Sequence, residues 1–363
     1  MGAFFICCNL QFFSIFSLSS YSSCFMSDIP TIKEIAKRLN VSVSTVSRAL
    51  NDHPRIGLKT KQAIQNLAKE LNYEPNPKAI FFKQKKSFVI GVILPLISED
   101  FFSKSISGIE DVAMEHGYTI LFGQSHESIA KEQTVMEAMV KQRIDGLLIS
   151  LSKETNKYNH LIALEKYNIP VVYFDRVPPF ERANKVFCSV YKGTEQMIEW
   201  LFRQGRKRIA FINGPDEIAA SRERLKGYME GISKKKLKID MQMVEKTDLS
   251  EGGTQLAVNK LLDLKRPPDA IISFNDYVHL DAVKFALQKG VNVNEDILFA
   301  SYANISANKH AAYPPVVSLD QFPYQQGEVA MNMLINILNK KQSDGASEIP
   351  FEQVEVPGSL VYS

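Results

Sequence analysis

At 363 residues the chain is long enough for two or three domains, because single cores stop growing near ~250–300 residues, and too long for a hormone or a minimal module. Its 45% hydrophobic and 23% charged residues, with 18 Gly and 16 Pro, exclude a disordered, collagenous or disulfide-scaffolded protein. The net charge of +3 hides an asymmetry. Residues 1–27 carry no charge, residues 28–86 hold 12 Lys/Arg against 5 Asp/Glu, and the remainder holds 31 basic against 35 acidic side chains. A basic head on a mildly acidic body points to a polyanion-binding module joined to a domain of another purpose, although a solvated helix face also reads as a charge run.

The first 25 residues are apolar and Ser-rich, yet they lack the basic start of a signal peptide. Broken by Asn9, Gln11 and several serines, they also fall short of the ~20 apolar residues of a spanning helix, and position 6 is not the Ser/Thr that myristoylation needs. The expectation is that residues 1–27 are a non-native leader, with translation starting at Met26 and no membrane attachment. Three of the four cysteines (Cys7, Cys8, Cys24) lie there. With Cys188 alone in the body, neither a disulfide framework nor a metal site is expected, which suits a reducing cytoplasm.

From Thr31 the sequence TIKEIAKRLNVSVSTVSRALN opens with a capping-box pair, Thr31 and Glu34, before a helix to about Leu39 with Ile32, Ile35, Ala36 and Leu39 inward. Asn40-Val41 makes a tight turn. Ser42 then caps a second helix, whose Val46, Ala49 and Leu50 face the first and whose Val43, Ser44, Thr45, Ser47 and Arg48 face outward wholly or in part. A third helix from about Leu58 to Leu71 carries Ile64, Leu67, Ala68 and Leu71 at helical spacing. Three short helices, the first two tightly joined, form either an ordinary small bundle or a helix-turn-helix, whose second helix can enter the major groove with short polar side chains and one Arg. After Asn72-Tyr73-Glu74-Pro75-Asn76-Pro77, the segment KAIFFKQKK puts Ile80, Phe81 and Phe82 among four lysines, an arrangement that calls for an apolar partner such as a minor groove.

The run from Thr31 to Ser87, through STVSRALN and LNYEPNP, resembles the headpiece of the lactose-repressor/galactose-repressor (LacI/GalR) family. The resemblance implies double-stranded operator DNA as partner, base or near-base contacts from Val43, Ser44 and Thr45, backbone or base contacts from Ser47 and Arg48, further DNA contacts at Thr31, Asn76 and Ala79, and a minor-groove wedge at Phe82. Where the family's hinge usually reads Ala-Arg-x-Leu, this chain has Ala79-Ile80-Phe81-Phe82, so one minor-groove arginine is missing.

Beyond Ser87, β-rich runs alternate with amphipathic helices: FVIGVILP, a helix near Ser103 to His116, YTILF, a helix near Ala130 to Gln142, DGLLISL, a helix near Asn156 to Tyr167, and VVYFD. The pattern restarts with RIAFING, a helix from about Ala219 to Ile232, a strand near 243, a helix near Thr254 to Leu264, AIISFND, a helix near His279 to Lys289, and ILFASY. Another strand and helix occupy residues 316–340, and VEVPGSLVYS closes the chain. No GxGxxG, P-loop, HExxH, GxSxG or CxxC occurs, so no enzyme chemistry and no cofactor are expected. Ligands of doubly wound sheets bind at the carboxyl ends of strands. The residues there are Phe101-Phe102, Asp175-Arg176, Ser221 to Arg224, Asn275-Asp276, Ala303-Asn304 and Gln321; an aromatic pair could equally be packing, and Asp-Arg a local salt bridge.

The body, from about Phe88 to the C-terminus, also resembles the family's ligand-binding core, whose fold is that of periplasmic sugar-binding proteins. The resemblance implies an all-α helix-turn-helix headpiece (28–75), a hinge (76–87) and a periplasmic-binding-protein-like α/β core (88–363) of two doubly wound subdomains split near 186 and 316. It implies a homodimer, and a small carbohydrate effector stacked on Phe101 and Phe102, gripped by Arg224, and bonded by Asn275 and Gln321, with Asp175, Arg176 and Asp276 as further contacts. Ala303 and Ser189-Val190 replace acidic or amide residues common in the family, so the effector's identity does not carry over from relatives. The alternative from another class is a periplasmic-type sugar-binding or transport protein, which the leader favours and the headpiece opposes.

Overall fold

The computed structural model describes residues 30–74, 86–343 and 350–363, which fall into two compact units dividing between Lys85 and Lys86. The leader and the hinge positions Asn76, Ala79 and Phe82 lie outside the described residues.

The first unit is three helices: α1 (Ile32–Arg38), α2 (Val43–Leu50) and α3 (Leu58–Glu70). Thr31 Oγ1 accepts the Glu34 N–H at 3.3 Å, but the return half of the capping box does not form, because Arg38 one turn on holds the Glu34 carboxylate at 2.6 Å. Asn40 takes a left-handed φ of 49°, tolerable for its short polar side chain, and closes α1 with Asn40 N–H to the Lys37 carbonyl and Val41 N–H to the Ala36 carbonyl. That motif aims α2 back across α1. Ile35, Ala36, Val46, Ala49, Ile64 and Ala68 form the core between the helices.

The second unit begins β1 (Val89–Leu94), α4 (Asp100–Glu115), β2 (Thr119–Gln124), α5 (Ile129–Lys141), β3 (Gly146–Ile149), a short α6 (Asn159–Ile162) continued by a 3₁₀ turn (Ala163–Tyr167), β4 (Val171–Phe174) and β5 (Asn184–Cys188). It continues α7 (Val190–Arg203), β6 (Ile209–Asn213), α8 (Ala219–Lys234), β7 (Val244–Lys246), α9 (Glu251–Leu262), β8 (Ala270–Ser273), α10 (Asp276–Gln288), β9 (Leu298–Tyr302), β10 (Val317–Asp320), α11 (Pro323–Ser343), β11 (Gln353–Val356) and β12 (Ser359–Tyr362). Two six-stranded sheets result, in the orders β11-β5-β4-β3-β1-β2 and β12-β10-β9-β8-β6-β7, parallel throughout except for the antiparallel pairing of β12 with β10. The central strands are nearly all apolar because helices cover both faces.

Three features depart from the sequence expectation. Residues 177–207, for which the expectation names no element, hold β5 and α7, which packs Met197, Ile198 and Leu201 against Tyr228 and Ile232 of α8. The helix expected from Asn156 is one α-turn plus a 3₁₀ turn. The closing segment is two strands in two different sheets, so the chain passes between the halves three times: after β5, after β10, and across Pro357-Gly358.

α11 lies on α4 in the first half, and two glycines let the backbones approach. A Cβ on Gly108 would collide with the Tyr324 carbonyl, and one on Gly327 with the Ser105 carbonyl, obstacles that no side-chain rotation removes. Gly108→Ala is therefore expected to lower the stability of the core by about 1–3 kcal/mol, read as a shifted urea midpoint at unchanged slope; an unshifted midpoint rules out the close crossing.

Candidate functional site

In the headpiece the Ser42 hydroxyl accepts the Thr45 N–H at 3.1 Å and lies 2.7 Å and 2.8 Å from the hydroxyls of Ser44 and Thr45. The first turn of α2 is thereby fixed as a cluster of small hydroxyls. Val43, Ser44 and Arg48 are exposed, Thr45 and Ser47 half-buried, and Thr31 exposed at the start of α1. Val46 and Ala49 are fully buried against α1 and α3. The outward strip is thus short polar groups, one β-branched methyl pair and one guanidinium, the set that reads base edges and phosphates in a groove of ~12 Å width.

In the core both sheets run in the strand order 2-1-3-4-5, so each has a switch point, at β1/β3 and at β6/β8, where crossovers leave in opposite directions and open a crevice at the strand carboxyl ends. Arg224, one turn into α8, sits beside the second. It is 4% exposed; Nη1 donates to the Phe274 carbonyl at 2.8 Å, Nη2 reaches Gln321 Oε1 at 3.4 Å, and the rings of Phe274 and Tyr302 lie 4.2 Å and 4.3 Å from its guanidinium carbon. Nε is buried without a partner, and burial lowers the guanidinium pKa. From the first half comes Asp175, left-handed at φ 57° straight after β4, its carboxylate 3.3 Å from Ser150 Oγ. Burial pushes the Asp175 carboxyl up while Arg176 and Arg224 pull it back, so the two halves share one electrostatic environment.

Arg176 pairs mainly with Glu127, not with its neighbour: Nη1 binds both Glu127 oxygens at 2.7 Å and 2.8 Å, whereas Nε stands 4.0 Å from Asp175 in a longer ion pair. Glu127 went unnoticed in the sequence, although the rule that found the other candidates applies equally to the residues after β2. Glu132 was also missed; buried in α5, it accepts from Ser152 N–H at 2.9 Å, binds the Thr155 hydroxyl and meets His160 Nε2 at 2.9 Å, pinning the loop after β3. A cavity of about 30 Å³ between Ser152 and Arg176 on one side and Ile218 and Arg222 on the other has room for a water or two.

Two expectations need correction. The helix after β1 starts at Asp100 rather than Ser103, so Phe101 and Phe102 belong to its first turn, not to a strand-end loop; their rings meet edge to face at 5.4 Å within the core of the first half, and Phe102 presents its face to Arg176 at 5.7 Å. Asp276 is fully buried, with Oδ1 bonded by the hydroxyls of Ser301 and Ser318 and Oδ2 by Ile305 N–H and Asn308 Nδ2, both at 2.8 Å. Those donors fill the carboxylate, which ties α10 to the ends of β9 and β10 and has nothing left for an effector. Asn275 caps α10 through Val278 N–H at 2.9 Å and keeps its amide nitrogen for other partners.

Burial pushes Asp276 up to about 6, against ~3.9 for an unfolded Asp. The native state then holds more protons than the unfolded state in between, so this group's contribution to stability is present below pH ~4 and is lost as pH rises through ~6. Asp276→Asn is expected to flatten the pH dependence of the thermal midpoint across that window; parallel curves for parent and variant refute the shift.

Comparison with known proteins agrees with this geometry. Residues 31–76 match the family of bacterial regulatory proteins, lacI family, and residues 87–354 match the periplasmic binding proteins and sugar binding domain of the LacI family. The HTH-type transcriptional repressor CytR of Escherichia coli K12 is 29% identical over 91% of this chain and 96% of its own length, and the ribose operon repressor of Bacillus subtilis 30% identical over 86% and 92%. A lac repressor dimer bound to operator and the anti-inducer ONPF has the same fold, with a TM-score of 0.77 at 24% identity over 92% of this chain and 97% of that one. A capped helix-turn-helix ahead of two parallel sheets in the 2-1-3-4-5 order, matched by both domain families over most of its length, makes this chain a member of the LacI family.

Proposed function

We propose that the protein is a sequence-specific transcriptional repressor, acting in the cytoplasm as a homodimer, whose hold on a pseudo-palindromic operator is set by a small carbohydrate bound between the halves of its core. The observation that carries this reading is the exposed strip of α2, Val43 to Thr45 with Arg48, held outward by the buried Val46 and Ala49. The named relatives, repressors of transcription or of a ribose operon, support repression as the sign of control. No described helix is long and apolar enough to cross a membrane. The effector site comprises Arg224, Asn275 and Gln321 from the second half and its crossover, and Asp175 and Arg176 from the first, with Phe101 and Phe102 behind them. A ligand changes operator affinity only by its differential affinity for the two arrangements of the halves, a coupling of about 1–3 kcal/mol in such systems.

Two measurements test it. In a gel-shift titration against promoter fragments, Arg48→Ala is expected to weaken operator binding by about 1–3 kcal/mol without shifting the thermal unfolding of the core; unaltered affinity removes α2 from the groove. Arg224→Ala is expected to abolish the thermal shift that a matching sugar gives the parent, about 2.7 kcal/mol at a hundred times its Kd, while operator affinity stays. A normal sugar response in that variant dismisses Arg224 as a contact.

A further inference from the structure

A second concave site lies toward the amino ends of the strands of the first sheet. Its cavity of about 710 Å³, within the ~300–1,000 Å³ typical of ligand pockets, opens at the amino ends of β4 and β5, between the 3₁₀ turn after α6 and the last turns of α11. The walls are apolar: Leu161, Ile169, Tyr173, Phe180 and Ile337 among them. Tyr173 and Phe180 meet edge to face at 6.3 Å, and Phe180 meets Tyr158 likewise at 5.2 Å, which makes a rigid aromatic floor.

Among the polar groups at this cavity are three cationic side chains. Arg182 is exposed beside the mouth, with its guanidinium carbon 5.9 Å from the Phe351 ring and no carboxylate partner among the described residues. Among the described residues Lys341 hydrogen-bonds the Asn168 carbonyl, at 3.2 Å, and has no ion pair; burial lowers its pKa. Lys340 and Glu165 also line it.

We infer that this cavity is a second small-molecule site, for an amphipathic organic anion: an apolar ring or branched chain seated on Tyr173 and Phe180, and a carboxylate, sulfonate or phosphate head held at the mouth by Arg182 and Lys341. An apolar pocket with a few convergent polar groups is the general form of a ligand site, and an anionic head supplies the counter-charge that no described residue gives Arg182 and Lys341. The inference does not rest on the carbohydrate reading, since none of the lining residues is among those assigned to the effector, although Tyr158, which packs on Phe180, also borders the small cavity between the halves.

The test uses the full chain and the fluorescent anion 8-anilinonaphthalene-1-sulfonate, with the uncharged N-phenyl-1-naphthylamine as control. The parent is expected to bind the anion saturably, one per chain, and more tightly than the neutral probe. Arg182→Ala with Lys341→Ala is expected to weaken the anion at least tenfold and leave the neutral probe unchanged. Arg224→Ala in the cleft is expected to bind both like the parent. Absence of saturable anion binding to the parent, equal affinity of the double variant, or loss of binding in Arg224→Ala would each overturn the assignment. Circular dichroism of the double variant guards against misfolding; should it misfold, Arg182→Gln alone, on an exposed side chain, must still weaken the anion.

Discussion

Parallel strands can be joined only by crossovers that carry the chain back to the starting edge, and that single geometric requirement organises the core. It covers both faces of each sheet with helices, so the strands must be apolar along their length and polar residues are displaced to the strand ends. In both sheets the order 2-1-3-4-5 sends neighbouring crossovers in opposite directions at β1/β3 and β6/β8. The crevices left there hold Arg224 with its partnerless Nε, Asp175 raised by burial, and the Arg176–Glu127 pair.

The two halves are bound together by more than their three connections. Asp100 N–H donates to the Tyr277 hydroxyl and its carboxylate accepts Ser306 N–H, both at 3.1 Å, so the start of α4 in the first half is tied to α10 and the loop after β9 in the second. The position of Asp276 explains why that loop can serve as an anchor: one buried carboxylate gathers Ser301, Ser318, Ile305 and Asn308 into a fixed corner. Glu132 does the same for the loop after β3 in the first half. Each half thus presents a stiffened rim to the other.

Legibility in the sequence followed the range of the interactions involved. The three head helices are written locally, in Thr31 and Ser42 as caps, in Asn40 as a left-handed closure and in apolar residues at i, i+3 and i+4, and each reappears in the structure as a hydrogen bond or a buried contact. Strands β1, β3, β4, β6, β8 and β9 were equally plain as apolar runs. β5 was not, because Asn184 and Lys185 interrupt its apolar pattern, and its place in the sheet comes from β4 on one side and β11, some 170 residues on, at the other. β11 and β12 were not told apart in the closing segment, because nothing local says that two consecutive segments join different sheets.

The sequence by itself determined the head's helix-turn-helix, the two serial α/β halves, and the residue types available at strand ends, since all of these depend on caps, turns and periodicities that act within a few residues. Only the tertiary structure decided what each strand-end residue does. Phe101 and Phe102 went to the core, Arg176 chose Glu127 over the adjacent Asp175, and Asp276 turned inward to four donors. The physical reason is that a charge buried from water takes whichever partners the packing brings within about 3 Å, and those partners come from segments far apart in the chain.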